Sequence, residues 1–270
     1  MINKRQAIFA DTGRTYTYGD ILCALQKVGI QSGDTLFVHA DLKSFGKVIA
    51  GLDRKTFIEA FIAALQECIG QSGNLIMPTF TYSFCKKEVF DPQATPSAVG
   101  ILSEQFRALP GVMRSNDPIF SVSAWGADKN FFADVGPDCF GVNSVFEKLY
   151  DRDAKIIFLG DTFDITYIHF VEQHFGVPYR FIKHFTGVIK TKERLRECTV
   201  SYNVRPLDKN IEYDLERIAK YLNLKKVLKA VPLGYSKIRC VGAVNAFKAI
   251  TQGLTEDIYI FLKDRPVYAA

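Results

Sequence analysis

Four histidines, His39, His169, His174 and His184, are the side chains of this sequence whose ordinary titration falls near neutrality, so a reaction that needs a neutral base is sought around them first. His169 and Glu172 stand three apart in TYIHFVEQHF, which reads as a helix over 166–175 with Thr166 or Asp164 as its cap. At that spacing both project from one helix face. A carboxylate beside an imidazole can hold the ring's tautomer and stabilise the imidazolium that forms when it takes a proton. The same spacing also describes an ordinary pair on a helix surface. His174 falls on a different face.

His39 closes the apolar run TLFVHA and leads into Asp41, Ser44 and Gly46 in HADLKSFG. Strands that end in small and polar residues often form ligand sites in α/β proteins, and the amides before Gly46 could approach a phosphate or a pantetheine chain. A turn with a locally bonded histidine is the other reading. PTFTY supplies Thr79, Thr81 and Tyr82 after a second apolar run; SNDPIFSVS supplies Asp117, Ser121 and Ser123 around a type I turn at NDP. GxxxxGK[ST], GxGxxG and GxSxG are all absent, which argues against a P-loop, a Rossmann dinucleotide site and an α/β-hydrolase. None of the six cysteines has zinc-knuckle spacing, so no metal is expected and the thiols read as those of a reduced, cytoplasmic protein. Cys85 lies beside Lys86 and Lys87, which could lower its thiol pKa, in a segment that reads as a loop.

These residues must be positioned by regular elements. Helical spacing falls at 16–28, with Thr17 as cap, and from Asp53 through Cys68. Short apolar runs at 35–40, 75–79, 122–125 and 155–160 read as strands, with matching turns QSGD and QSGN before the first two. A helix is expected over 97–109, begun by Pro–Ser, after a polar loop at 82–97. Towards the end, 188–204 reads as antiparallel strands, 210–222 and 243–252 as helices, and 237–241 as a strand. Alternating helix and strand predicts an α/β architecture, with a mixed sheet flanked by helices in one compact domain spanning 1–270.

The chain is 48% hydrophobic and 23% charged, which suits a globular protein with a sizeable core. No apolar stretch is long enough to span a membrane, and the start lacks the apolar region of a signal peptide. The net charge of +5 is spread along the chain, and no nucleic-acid motif accompanies it. Its densest patch, KHFTGVIKTKERLR at 183–196, is either a solvated surface or an electropositive face for an anionic ligand.

Taken together, GDTLFVHADLKSFG, GNLIMPTFTYSF, VGILSEQFRALPGVMRSNDPIFSVSAWG, NSVFEKLYDRDAKIIFLGDTF and IHFVEQ resemble the antibiotic N-acetyltransferase family that includes the aminoglycoside 3-N-acetyltransferases. The resemblance runs from about 33 to about 187, with a fainter echo in VGAVNAFKAI. It implies a two-substrate α/β enzyme that acetylates an amine on a sugar with acetyl-CoA. The matching residues His39, Asp41, Leu42, Lys43, Ser44, Phe45 and Gly46 are then implied to contact coenzyme A. Thr79, Thr81 and Ser121 are implied to line the thioester end, and His169 with Glu172 to be the base pair. Tyr82, Asp117 and Asp164 are assigned to the acceptor. Two positions depart from the family pattern: Asp117 stands where a histidine is usual, and Asp41 where a serine is usual.

No activated nucleophile is evident, so direct transfer in a ternary complex is expected: His169 takes the amine's proton with Glu172 holding the ring, and Thr79, Thr81, Ser121 or a backbone amide receives the thioester oxygen. Aminoglycosides are polycations that call for an acidic site, whereas this chain is mildly basic, which favours an amino sugar carried on a nucleotide, as in surface-polysaccharide synthesis. The alternatives are an aminoglycoside acceptor, as in antibiotic resistance, and a degenerate member that binds coenzyme A or a sugar without turnover. Self-association into a homodimer is left open.

Overall fold

The structure is a computed structural model that describes residues 2–191 and 194–266. Twelve strands are seen among them: β1 (Ala7–Ala10), β2 (Thr15–Thr17), β3 (Thr35–Asp41), β4 (Lys47–Val48), β5 (Asn74–Pro78), β6 (Met113–Arg114), β7 (Val122–Gly126), β8 (Lys155–Gly160), β9 (Phe181–Lys190), β10 (Leu195–Val204), β11 (Lys229–Leu233) and β12 (Ser236–Gly242). The helices are α1 (Tyr18–Lys27), α2 (Arg54–Ile69), α3 (Ile101–Arg107), α4 (Lys129–Ala133), α5 (Val145–Asp151), α6 (Ile168–Phe175), α7 (Leu215–Leu224) and α8 (Ala243–Glu256).

A seven-stranded sheet in the order β11-β12-β8-β3-β5-β7-β6 forms the centre. β3 runs parallel to both β5 and β8, and the outer pairings are antiparallel, so the sheet is mixed as the alternation of elements predicts. KIIFLG of β8 is buried almost throughout, as expected for a strand covered on both faces. Side chains alternate across it: Leu36, Val38, Ile157 and Leu159 join the core beneath α1 and α2, while Phe37, Ile156 and Phe158 join the core that includes α6 and α8 residues. The β9–β10 hairpin and a three-stranded sheet, β2-β1-β4, stand apart from this sheet.

Capping sets several helix starts. Thr17 and Asp20 form a reciprocal capping box on α1, and Asp53 accepts from the Thr56 amide at the start of α2. Three expected helix starts shift. The helix expected over 97–109 begins only at Ile101, because Gly100 is left-handed (φ 68°) and the Ser97 hydroxyl donates to the Val99 carbonyl. α6 starts at Ile168, with neither Thr166 nor Asp164 as its cap; Tyr167 holds that position and makes no capping bond, while Asp164 bonds to Thr162. α7 starts at Leu215, capped by Asp214, which leaves 210–213 outside it. The strands read over 188–204 are longer, with β9 reaching back to Phe181. Within the basic 183–196 segment, Lys192 and Glu193 lie outside the described residues.

Candidate active site

α6 supplies the two residues expected to do chemistry. It buries Ile168, Phe170 and Val171 against the core and ends at Gly176, whose left-handed backbone (φ 78°) lets its amide bond the Glu172 carbonyl. Val177 and Pro178 then turn the chain back across the helix, so that Tyr179 and Arg180 face Glu172. The Glu172 side chain has no solvent exposure. Its Oε1 accepts from the Tyr179 hydroxyl at 2.7 Å, and its Oε2 accepts from Arg180 Nε at 2.5 Å and from the Tyr213 hydroxyl at 2.5 Å. Burial alone pushes this carboxyl up, but His169, Arg180 and Tyr213 outweigh it and hold the acid below its ordinary value, so it is ionised at neutral pH.

His169 does share a face with Glu172, yet its Nδ1 lies 3.7 Å from Oε2, beyond hydrogen-bond reach. The expectation that Glu172 holds the ring directly is therefore corrected. Nδ1 meets the Tyr213 hydroxyl at 3.0 Å, and that hydroxyl bonds the carboxylate. The ring sits against Phe140 with centroids 5.3 Å apart and retains 23% side-chain exposure. Burial, foremost, lowers its pKa, with Glu172 opposing and Arg180 reinforcing, so the imidazole is neutral at pH 7. His169, Arg180 and Tyr213 line a cavity of about 1040 Å³, together with Tyr82, Asp164 and residues of the β9–β10 hairpin and the loop after it. Two of the three residues assigned to the acceptor, Tyr82 and Asp164, thus line the same cavity as His169. Asp117 is not: it is buried, and it accepts from the Ile119 and Phe120 amides at 2.8 and 2.9 Å, as the turn at NDP requires. Cys85 lines the same cavity, but burial raises its thiol pKa despite Lys86, contrary to the lowering suggested by its neighbours.

A second cavity of about 720 Å³ opens at the end of β3. Asp41, Leu42, Lys43 and Gly46 line it with Arg54, Phe57 and residues 100–102. Gly46 (φ 153°) is required there, since a Cβ would collide with the Ala10 carbonyl. Three members of HADLKSFG face elsewhere. Phe45 is buried between Phe9 and Phe61. Ser44 Oγ donates to the Asp41 carbonyl at 2.7 Å and accepts from the Asp161 amide at 3.0 Å. His39 is in the core, stacked on Phe158 and edge-on to Phe37.

Thr79, Thr81 and Ser121 come together, though not as free donors. The Thr79 and Thr81 hydroxyls bond the carbonyls of Ser121 and Pro118 at 3.2 and 2.8 Å, and Ser121 Oγ donates to the Thr79 carbonyl at 2.7 Å. All three residues are buried. Their hydroxyls tie the strand ends together, so the expected role of receiving the thioester oxygen would need those bonds to break first. Tyr179, Arg180 and Tyr213 were not anticipated. The Gly-Val-Pro break after α6 and the Asp214–Arg217 cap signature, which excludes Tyr213 from α7, are the sequence signals that point to them.

The family model described as aminoglycoside 3-N-acetyltransferase matches residues 37–255. The chain belongs to the aminoglycoside 3-N-acetyltransferase family. The match extends beyond the 33–187 span of motif resemblance. Among its relatives, the SPbeta prophage-derived aminoglycoside N(3')-acetyltransferase-like protein YokD of Bacillus subtilis (strain 168) is 30% identical over 58% of this chain and 64% of that protein, so the chain spans just under two thirds of YokD in this match. Aminoglycoside N(3)-acetyltransferase IV of Salmonella sp is 26% identical over 90% of this chain and 89% of its own. In fold, AAC-IIIb in binary complex with CoASH superposes with a TM-score of 0.77, at 22% identity over 93% of this chain and 99% of that one. AAC-VIa bound to sisomicin gives 0.76 at 21% identity, over 89% and 98%. No described helix of this family member is long and apolar enough to cross a membrane.

Proposed function

We propose that the protein transfers the acetyl group of acetyl-CoA to an amine of an amino sugar, with His169 as general base. The observation that carries this reading is a neutral imidazole on a cavity wall, bonded through Nδ1 and still partly exposed. As the amine nitrogen bonds the thioester carbon, its proton passes to His169; the C–S bond then breaks, and the imidazolium returns the proton to the departing thiolate. Acetyl-CoA is taken from the family and from the CoASH complex of AAC-IIIb. The cavity at the end of β3, with Lys43 and Arg54 on its wall, offers cations for its phosphates. All six cysteines are free, which supports a reducing, cytoplasmic setting.

The acceptor cavity is lined by Arg180, Lys183 and Arg205 as well as by Asp164, Asp208 and Glu212. A polycation calls for a wall that is mostly acidic. The balanced lining supports an amino sugar with its own negative charge, such as one linked to a nucleotide diphosphate. An aminoglycoside acceptor is the second reading, favoured by the relatives' names and by the sisomicin complex of AAC-VIa. Thiol release from acetyl-CoA, followed with each acceptor class in turn, separates them. Turnover with the nucleotide-linked sugar is expected; turnover with aminoglycosides alone would assign the protein to antibiotic inactivation, and acetyl-CoA binding without turnover on either would mark a non-catalytic member.

A further inference from the structure

Tyr213 lies just outside α7, in an isolated antiparallel bridge with Leu262, and its hydroxyl is shared by three groups. Arg180 Nη2 reaches the oxygen at 2.7 Å, His169 Nδ1 at 3.0 Å and Glu172 Oε2 at 2.5 Å. A phenol has one proton to donate and two lone pairs to receive with. Arg180 can only donate, so it takes one lone pair. The carboxylate can only accept, and two oxygens at 2.5 Å need a proton between them, so the phenolic proton points at Glu172. One lone pair is left for His169, and Nδ1 can meet it only as a donor.

We infer that Tyr213, oriented by Arg180 and Glu172, is a positioning residue that fixes His169 as the Nδ1–H tautomer and so keeps the Nε2 lone pair for the cavity. The inference rests on His169 acting as the base, and it assigns to the tyrosine hydroxyl the orienting task that sequence spacing gives to the carboxylate. Glu172 then acts one bond further away, by fixing the direction of the phenolic proton. Buried among these partners, the Tyr213 phenol stays protonated well beyond neutral pH, so the arrangement holds across the working range.

The direct test is nitrogen NMR of the native protein carrying labelled histidine, with the His169 signals identified by their loss in His169→Ala. A proton on Nδ1 and none on Nε2 is expected at neutral pH; the reverse would overturn the inference, and this measurement needs no variant of Tyr213. Tyr213→Phe removes only the hydroxyl and leaves Glu172 paired with Tyr179 and Arg180. It is expected to mix the His169 tautomers and to lower kcat on the order of tenfold or more, with KM for acetyl-CoA unchanged. A Phe variant with native kcat and a single native tautomer would equally overturn it. Failure of the underlying reading is distinct, since it would appear as undiminished turnover in His169→Ala.

Discussion

His39 and His169 are the same side chain in two environments of one core, and their difference shows what makes an imidazole useful. Both are held neutral by burial. His39 lies within β3 in register with Phe158 of β8, on whose ring it stacks with centroids 5.5 Å apart, and its Nε2 finds no hydrogen-bond partner. Its pKa falls to about 4, with burial as the cause. His169 has an aromatic neighbour too, in Phe140, but its Nδ1 enters a network of Tyr213, Arg180 and Glu172 while the ring borders a cavity. His39 lies two residues short of the end of β3, and the cavity there is lined by Ala40 and Asp41 instead. On the proposed reading, a polar brace on one ring nitrogen and a cavity beside the ring provide the chemistry.

The sharpest way to break that contrast is His169→Ala. If this ring is the base, kcat falls by about 10²–10⁴-fold, while acetyl-CoA binding measured by calorimetry is retained. In the native protein the acidic limb of kcat/KM should lie below the ordinary histidine value of 6.5, since burial and the Arg180 charge together outweigh the attraction of Glu172. A limb at or above that value would mean that the ring in the working enzyme is more solvated or more strongly paired with Glu172 than it is here.

Glu172→Gln tests the brace and not the ring. Arg180 keeps its charge with only 5% of its side chain exposed and loses its buried counter-ion. Breaking a buried pair in this way costs about 3–5 kcal/mol, and the retained amide hydrogen bond should put the effect near the lower end. Urea unfolding at neutral pH measures it. The pH sign follows from the lowered carboxyl pKa: native Glu172 contributes its full stability above the unfolded carboxylate value and loses it as pH falls through its depressed folded one. The stability gap between native protein and variant should therefore close in acid.

Much of this was legible in the sequence, and what was not has a physical reason. β8 is read at its observed bounds because the unbroken apolar run IIFL, between Lys155 and Gly160, suits a strand covered on both faces. The Thr17 and Asp53 starts are legible because a cap is a local bond. The pairing of His169 with one face of α6 follows from helical spacing, whereas the bond from Tyr213 spans 44 residues and no local pattern encodes it. The strand-end hydroxyls fail in the other direction. Thr79, Thr81 and Ser121 have the right chemistry for a thioester oxygen, but the buried carbonyls of neighbouring loops claim them, because an unpaired buried carbonyl is costly. Spacing reveals which residues share a face but not which polar atoms the fold has already used.

The smallest expected effect belongs to His39→Leu, and it sharpens the contrast from the other side. Leucine removes the orphaned Nε2, whose burial costs about 1–3 kcal/mol, and gives up an aromatic contact worth about 0.5–1.5 kcal/mol. At pH 7 the variant should be about as stable as the native protein or slightly more so, with turnover retained. Below neutrality the two should part. Folded His39 stays neutral down to about pH 4, while the unfolded ring takes a proton below about 6.5. The native protein therefore loses stability relative to the variant as pH falls through that window, by roughly 3 kcal/mol in all, with no further divergence on either side. Denaturant midpoints taken across the window follow the gap. A constant gap would show that the His39 ring is not held neutral by burial. Loss of acetyl-CoA affinity in the leucine variant would show that it reaches the cofactor, and the distinction between the two histidines would not hold.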